Sequence, residues 1–329
     1  MTRLARRTML GLAAATALAT AFADSSAAQD SWPAKGKPVN VIVSAGAGSG
    51  QDLTARILTE QLAKEFPGSV FQIVNRPGAG TQIGTQAIAD AAPDGYTFGI
   101  IALPTLVTLH LDPARQARFT SASFEPAANF IYDPGAIAVP ADSKYKTLTD
   151  LVADAKAQPG AITVGVTGPQ GREHLDVAAV EQIAGVKFNP VFHNDSGAAL
   201  NSMLGKNIAA MQGSVGDYIS QIQAGRVRLL AVFSDEPSKF APGVPTAKSL
   251  GFNVVSGVSR GFGFPKGAPR DAVQKLEAAI KKIGTSPEGI AQVDKMGFEM
   301  KIMDSASFAK YWASEAERIT ELFKKTAQK

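Results

Sequence analysis

Short, unbroken apolar runs alternate along the chain with longer stretches in which apolar residues recur every three to four positions, the pattern of buried parallel strands alternating with helices. Val39–Val43 predicts a strand covered on both faces, and Ile57, Leu58, Leu62 and Phe66 then share one helical face. Phe71–Val74 predicts a second strand, Thr81–Ala91 a second helix, and Pro93-Asp94-Gly95 a turn into a strand over Tyr96–Ile101. Leu111–Pro126 is polar and patternless and reads as a surface excursion. The rhythm then restarts. Strands are expected at Ala136–Val139, Ala161–Val166, Val186–Phe192, Ile208–Met211 and Val227–Phe233, with helices at Thr149–Ala157, Glu173–Ile183 and Gly197–Leu204. Asp195-Ser196 reads as an ordinary cap of the last of these helices. Phe262–Phe264, a helix over Ala272–Ile283 and a long helix over Ser305–Lys325 close the chain; in that last helix Phe308, Trp312, Ile319 and Phe323 form one stripe, which makes Trp312 a core residue.

The two halves echo one another, so the expected fold class is α/β, with two Rossmann-like lobes hinged around a central cleft. The expected division is 29–125 with 230–329 for the first lobe and 126–229 for the second. In open α/β sheets, ligands meet the carboxyl ends of the strands. Four loops of this chain lie at those ends: SAGAGSGQD (Ser44–Asp52), NRPGAG (Asn75–Gly80), TGPQGR (Thr167–Arg172) and NDSG (Asn194–Gly197). Glycines let a backbone approach a ligand, and helix starts offer unpaired N–H groups and positive dipole charge. Such loops suit an anion. Charge-assisted bonds of roughly 1.5–3 kcal/mol each would support about micromolar binding with no catalytic residue. Arg172 is placed either to add a bidentate contact or to remain a solvated charge, and Asp52 to cap the first helix.

Other chemistries fit less well. Gly46-Ala47-Gly48-Ser49-Gly50 has G-x-G-x-G spacing rather than G-x-G-x-x-G, and Asn75 stands where a ribose-binding acid is needed, so a nicotinamide- or flavin-dependent exported oxidoreductase is only the alternative reading. Gly257-Val258-Ser259-Arg260-Gly261 matches G-x-S-x-G, but strand and turn follow instead of a helix, and His110, His174 and His193 all precede Ser259. No histidine has a partner at metal-ligand spacing; His174 is placed either to line the cleft or to bond the loop backbone.

Compartment follows from the start of the chain. Arg3, Arg6 and Arg7, the apolar run Met9–Ala23 and Ser26-Ala27-Ala28 make residues 1–28 an expected signal peptide, by the ordinary or the twin-arginine route, with the mature chain beginning at Gln29. The 329 residues contain no cysteine, so no disulfide, thiol nucleophile or lipid-anchored cysteine is available. The formal charge of +4, which loss of Arg3, Arg6, Arg7 and Asp24 brings to +2, includes no basic run that would recruit nucleic acid.

Several stretches together resemble one family. They are Trp32-Pro33, the glycine-rich loop ending in Asp52, NRPGAG with Ile83-Gly84, Ala92-Pro93-Asp94-Gly95-Tyr96-Thr97, Ala155–Gly160, and Gly168 and Gly171 before His174-Leu175. Further along come Ile222, Ala224-Gly225 and Arg228 before Leu230-Ala231-Val232, then Val244-Pro245-Thr246, and Arg260-Gly261 before Pro265, Gly267 and Pro269. The mature chain resembles, over essentially its whole length, the substrate-binding proteins of tripartite tricarboxylate transporters, the Bug-type periplasmic receptors. The resemblance implies a two-lobed Venus flytrap, expected to act as a monomer without cofactor or metal, that hands a carboxylate to a membrane permease unchanged. It places ligand contacts at Ala45, Ala47, Gly48, Asp52, Ala79, Gly80 and Thr105 in the first lobe, and at Thr167, Gly171, Arg172, His174, Gly213 and Ser214 in the second. The chain departs from the family's pattern where Pro-Phe becomes Ser44-Ala45, where Pro-Tyr-Lys-Gly becomes the segment from His193 to Gly197, and where Val-Asp becomes Ile208-Ala209. Loss of the Phe predicts a roomier pocket and a bulkier or aromatic acid.

Overall fold

The computed structural model describes residues 32–327 except 170, 194 and 195; the expected leader over 1–28 and the Asp195 cap lie outside the described residues. The first unit runs β1 (Pro38–Val43), α1 (Gly50–Glu65), β2 (Val70–Asn75), α2 (Gln82–Ala89), β3 (Thr97–Leu103) and α3 (Thr105–Leu111). A 17-residue strand, β4 (Phe124–Pro140), follows. The second unit is α4 (Leu148–Ala157), β5 (Thr163–Thr167), α5 (Arg172–Ala184), β6 (Asn189–His193), α6 (Ser196–Leu204), β7 (Ala210–Ser214), α7 (Val215–Gln223) and β8 (Val227–Phe233). The chain then returns through β9 (Gly257–Pro265), α8 (Arg270–Thr285), α9 (Pro287–Lys295), β10 (Glu299–Met303) and α10 (Ser305–Ala327).

In the first lobe β1 pairs in parallel with β2 on one side and β3 on the other; in the second, β5 does the same with β6 and β7. Each sheet therefore has a switch point beside its first strand, where the carboxyl ends open a crevice. Both faces are covered, which explains the unbroken apolar runs. Val41 and Val43 join the core beneath α1 and α8, while Ile42 between them joins Ile88, Phe308 and Trp312 on the other face.

Antiparallel strands tie the lobes together. The β4 residues before Gly135 pair with β9 and β10, and those from Gly135 onward pair with β7 and β8. The chain crosses back beside this point: the Gly135 amide donates to Ser256 O (2.8 Å), and the Ser256 amide to Phe233 O (2.7 Å). Because β8 pairs with the later half of β4, and Phe252 and Val254 pack in the second lobe's core, we propose that the lobes divide at 134/135 and 256/257 rather than at 126 and 229.

Two sequence expectations change. The stretch 111–126 is anchored rather than loose: Phe119 and Phe124 are buried, with their rings against one another and Phe124 against Trp312. The strand expected at Ala136–Val139 begins at Phe124, because Asn129, Asp133 and two prolines interrupt its apolar pattern. In α10 the expected stripe holds, with Phe308, Trp312 and Ile319 buried, and Trp312 Nε1 donates to Ser121 Oγ (3.0 Å).

Candidate functional site

A cavity of about 940 Å³ lies between the lobes, at both switch points. The first lobe contributes Ala45, Gly48–Gln51, Gly80 and Thr105, and the second Thr167, Gly168, Gly171–Glu173, Gly216 and Asp217. Asp133, Arg260 and Phe298 add charged and aromatic groups to its lining.

The start of α1 is locked from behind. Ser49 is the N-cap, its Oγ accepting from the Asp52 amide (3.2 Å). Asp52 is buried and does not line the cavity. Its carboxylate accepts from the Gly48 amide (2.9 Å), from Arg56 Nε (2.7 Å) and from Asn75 Nδ2 (3.0 Å), and Asn75 also donates to Ala45 O (3.0 Å). Burial works to raise the Asp52 pKa, but these donors outweigh it and hold the group below its usual range. Gly48 turns the loop at φ +80, in the left-handed region that glycine alone adopts freely. The next amides, those of Gly50 and Gln51, meet no protein acceptor among the described residues and belong to cavity-lining residues.

The start of α5 is equally open. Its N-cap is Gly171, which brings no capping side chain, and a Cβ there would stand 2.5 Å from Thr167 O. Two long helices from opposite lobes thus begin at one cavity: α1, whose Ser49 cap leaves the Gly50 and Gln51 amides open, and α5, which has no capping side chain.

Beneath them lies a buried charged cluster. Arg172 Nη1 donates to Asp176 (3.0 Å), and its Nη2 to Glu173 (2.7 Å) and Ser214 Oγ (3.0 Å). Burial opposes its charge, but Glu173 and Asp176 more than compensate and hold it firmly protonated. Asp176 also accepts from Gln212 Nε2 (3.0 Å) and Ser256 Oγ (2.9 Å); burial pushes its carboxyl up to about 6, against the pull of Arg172. Asp133 accepts the Gly216 amide (3.0 Å) at the start of α7, and burial pushes it up to about 7, opposed by Arg260. The Asp217 carboxylate caps its own helix by accepting the Ser214 amide (2.8 Å). Arg260 lies over the Phe298 ring, 4.8 Å from its centroid, with burial drawing its pKa down.

Of the positions carried over from the resemblance, Ala45, Gly48, Gly80, Thr105, Thr167, Gly171 and Arg172 line the cavity, and Ala47, Asp52, Ala79, His174, Gly213 and Ser214 do not. Gly213 sits beneath the Tyr218 hydroxyl, which a Cβ would meet at 2.6 Å, and Ser214 binds Arg172. The His174 ring stands edge-on to Phe192, with centroids 5.2 Å apart. Asp133, Arg260, Gly216, Asp217 and Phe298 were not anticipated; an acid and an arginine interrupting apolar strands were the only signal. The G-x-S-x-G match lies inside β9, where Ser259 is fully buried and donates to Asn129 Oδ1, so it forms no nucleophile elbow. Among the described residues no group of acids and histidines is arranged to hold a metal ion.

Residues 54–327 match the family model for the tripartite tricarboxylate transporter family receptor. Protein BugT of Bordetella pertussis is 30% identical over 237 residues, which span 71% of this chain and 72% of BugT. A ligand-free TctC solute-binding protein from Polaromonas superposes with a TM-score of 0.74 at 30% identity, covering 89% of this chain and 99% of that one. The R. palustris protein Rpa4515, solved with adipate, shares the fold at a TM-score of 0.80 and 22% identity, over 89% of this chain and 97% of its own. A two-lobed α/β receptor fold, a cleft at paired switch points and a family match over most of the chain agree: this chain belongs to the tripartite tricarboxylate transporter receptor family, whose members are solute-binding proteins.

Proposed function

We propose that the cleft captures an organic carboxylate and that the receptor delivers it, chemically unchanged, to a tripartite tricarboxylate transporter permease. The observation that carries this reading is the pair of helix starts, α1 from one lobe with its Gly50 and Gln51 amides open and α5 from the other with no capping side chain, lining a single cavity. Unpaired N–H groups and aligned peptide dipoles favour an anion at both. Adipate in the R. palustris relative is an acid of this class. The ligand contacts we assign are the cavity-lining loop positions Ala45, Gly48, Gly80, Thr105, Thr167 and Gly171, with the Gly50 and Gln51 amides added. With residues 1–28 acting as a cleaved leader, the receptor works in the periplasm as a single copy.

A bulkier acid is favoured over the smallest diacids. Ala45 lines the cavity at the position where the sequence resemblance implies a lost Phe, and 940 Å³ lies near the top of the range of about 300–1,000 Å³ for small-molecule sites. Thermal-shift measurements with succinate, adipate, benzoate and phenylacetate, against equal sodium chloride, test the reading. A ligand at a hundred times its Kd stabilises the folded chain by about 2.7 kcal/mol, a shift of several degrees for a chain this long. Stabilisation by adipate or an aromatic acid is expected to exceed that by succinate. No shift with any acid removes the carboxylate assignment, and a succinate-only response removes the bulk argument.

A further inference from the structure

Three arginines line the cavity, and they differ in their partners: Arg115, partly exposed, donates to Ala79 O (3.1 Å) and faces Asp112. Arg172 donates to three internal partners, but the Arg260 guanidinium makes no hydrogen bond among the described residues. Arg260 Nε and Nη1 are buried without an acceptor, and Nη2 stands 3.7 Å from Asp133 Oδ2, beyond hydrogen-bond length. Asp133 is at best a partial counter-ion, since its other oxygen accepts the Gly216 amide. Two buried guanidinium N–H groups without acceptors are costly, so their place at a cavity wall calls for a reason.

The surroundings hold this guanidinium in place. Phe298 stacks beneath it, and Gly50 makes room for it: a Cβ on Gly50 would lie 3.0 Å from Nη2 and 3.2 Å from Cζ. The cation is therefore seated against the first residue of α1, next to the unclaimed amides of Gly50 and Gln51. A positive side chain at the positive end of a helix is unfavourable until an anion lies between them. One carboxylate can meet both, one oxygen on the amides and the other on the guanidinium.

We propose that Arg260 is the charge-reading residue of the cleft, forming with the Gly50 and Gln51 amides a single clamp for the ligand's carboxylate and so selecting an ionised acid over its neutral amide. This rests on the reading that a carboxylate enters the cleft. Isothermal titration of the wild-type chain with succinate, adipate, benzoate and phenylacetate, each beside its neutral amide, tests it together with Arg260→Gln and Arg260→Lys. Wild type is expected to prefer a bound acid over its amide by at least about tenfold, Arg260→Gln to lose roughly ten- to a hundredfold for the acid with the amide unaffected, and Arg260→Lys to fall between. An acid that binds Arg260→Gln as it binds wild type overturns this assignment and leaves the carboxylate reading intact. Wild type that binds none of the acids overturns both. Should Arg260→Gln fail to fold, the acid–amide comparison on wild type decides: equal affinity for the two overturns the proposal.

Discussion

Arg172 shows how little a residue's position in a cleft says about its role. Arg172 lines the cavity, yet its guanidinium is buried and bonded to Asp176, Glu173 and Ser214. Removing it would strand two acids beneath the site, a loss of about 3–5 kcal/mol for a broken buried pair. Arg172→Met should therefore lower the urea midpoint strongly while the surviving folded fraction keeps much of its ligand affinity. Affinity lost at unchanged stability would make Arg172 a ligand contact instead. Asp133 provides a second test at this scale. Its folded pKa, raised to about 7 from the usual 3.8, means the folded chain holds a proton that the unfolded chain releases. That contribution is fully present below about pH 4 and is lost as pH climbs through 7, and Asp176, at about 6, acts in the same sense. Asp133→Asn keeps an acceptor for the Gly216 amide but cannot ionise, so its melting temperature should fall less than that of wild type between pH 5 and 8. Parallel melting curves would show that Asp133 stays ionised throughout.

Elements were legible in the sequence wherever a single period governed them. β1, β5 and β8 are short and covered on both faces, so unbroken apolar runs announced them, and β8 occupies the expected Val227–Phe233. The glycine-rich helix starts were legible for a related reason, since the requirement they meet is local. β4 was not legible: Asn129 reaches across to Lys301 O (2.6 Å) and Asp133 to the start of α7, so polar residues serving neighbours broke the pattern. α3, α7 and α9 are 7 to 9 residues long, and they follow none of the four loops that marked the starts of the equally short α2 and α6. β10 alternates weakly because none of its residues is fully buried. The charged part of the site was hidden for the same physical reason as β4. Arg260 meets Asp133 and Gly50 only once β9 has paired with β4 and β3, and no local period encodes that pairing.

At the scale of the whole molecule, each lobe has its own main core, while Leu175 of the second lobe joins a buried cluster of the first, and the chain crosses at a narrow joint. The chain passes between them beside Gly135 and Ser256, whose backbones are bonded to each other. Outside the joint, contacts between the two sides include the Asp133–Gly216 bond and the surface pair Lys239–Asp294 (2.5 Å). The exposed pair contributes little, so the resistance to opening lies in the buried Asp133–Gly216 bond and the packing of Leu175. Rotation at adjacent peptides can change the angle between the lobes while leaving the main core of each intact, the usual basis of hinge closure around a ligand. A ligand held at α1 and α5 together binds best when those helix starts approach, and so shifts the population toward the closed form. Small-angle scattering of the chain saturated with its tightest acid should accordingly give a smaller radius of gyration than the ligand-free chain. Arg260→Gln should need a roughly ten- to hundredfold higher acid concentration to reach the same contraction. A radius unchanged in wild type while calorimetry reports a filled site would mean that the cleft is already closed before the acid arrives, and that affinity comes from a preformed clamp instead of from motion at Gly135 and Ser256.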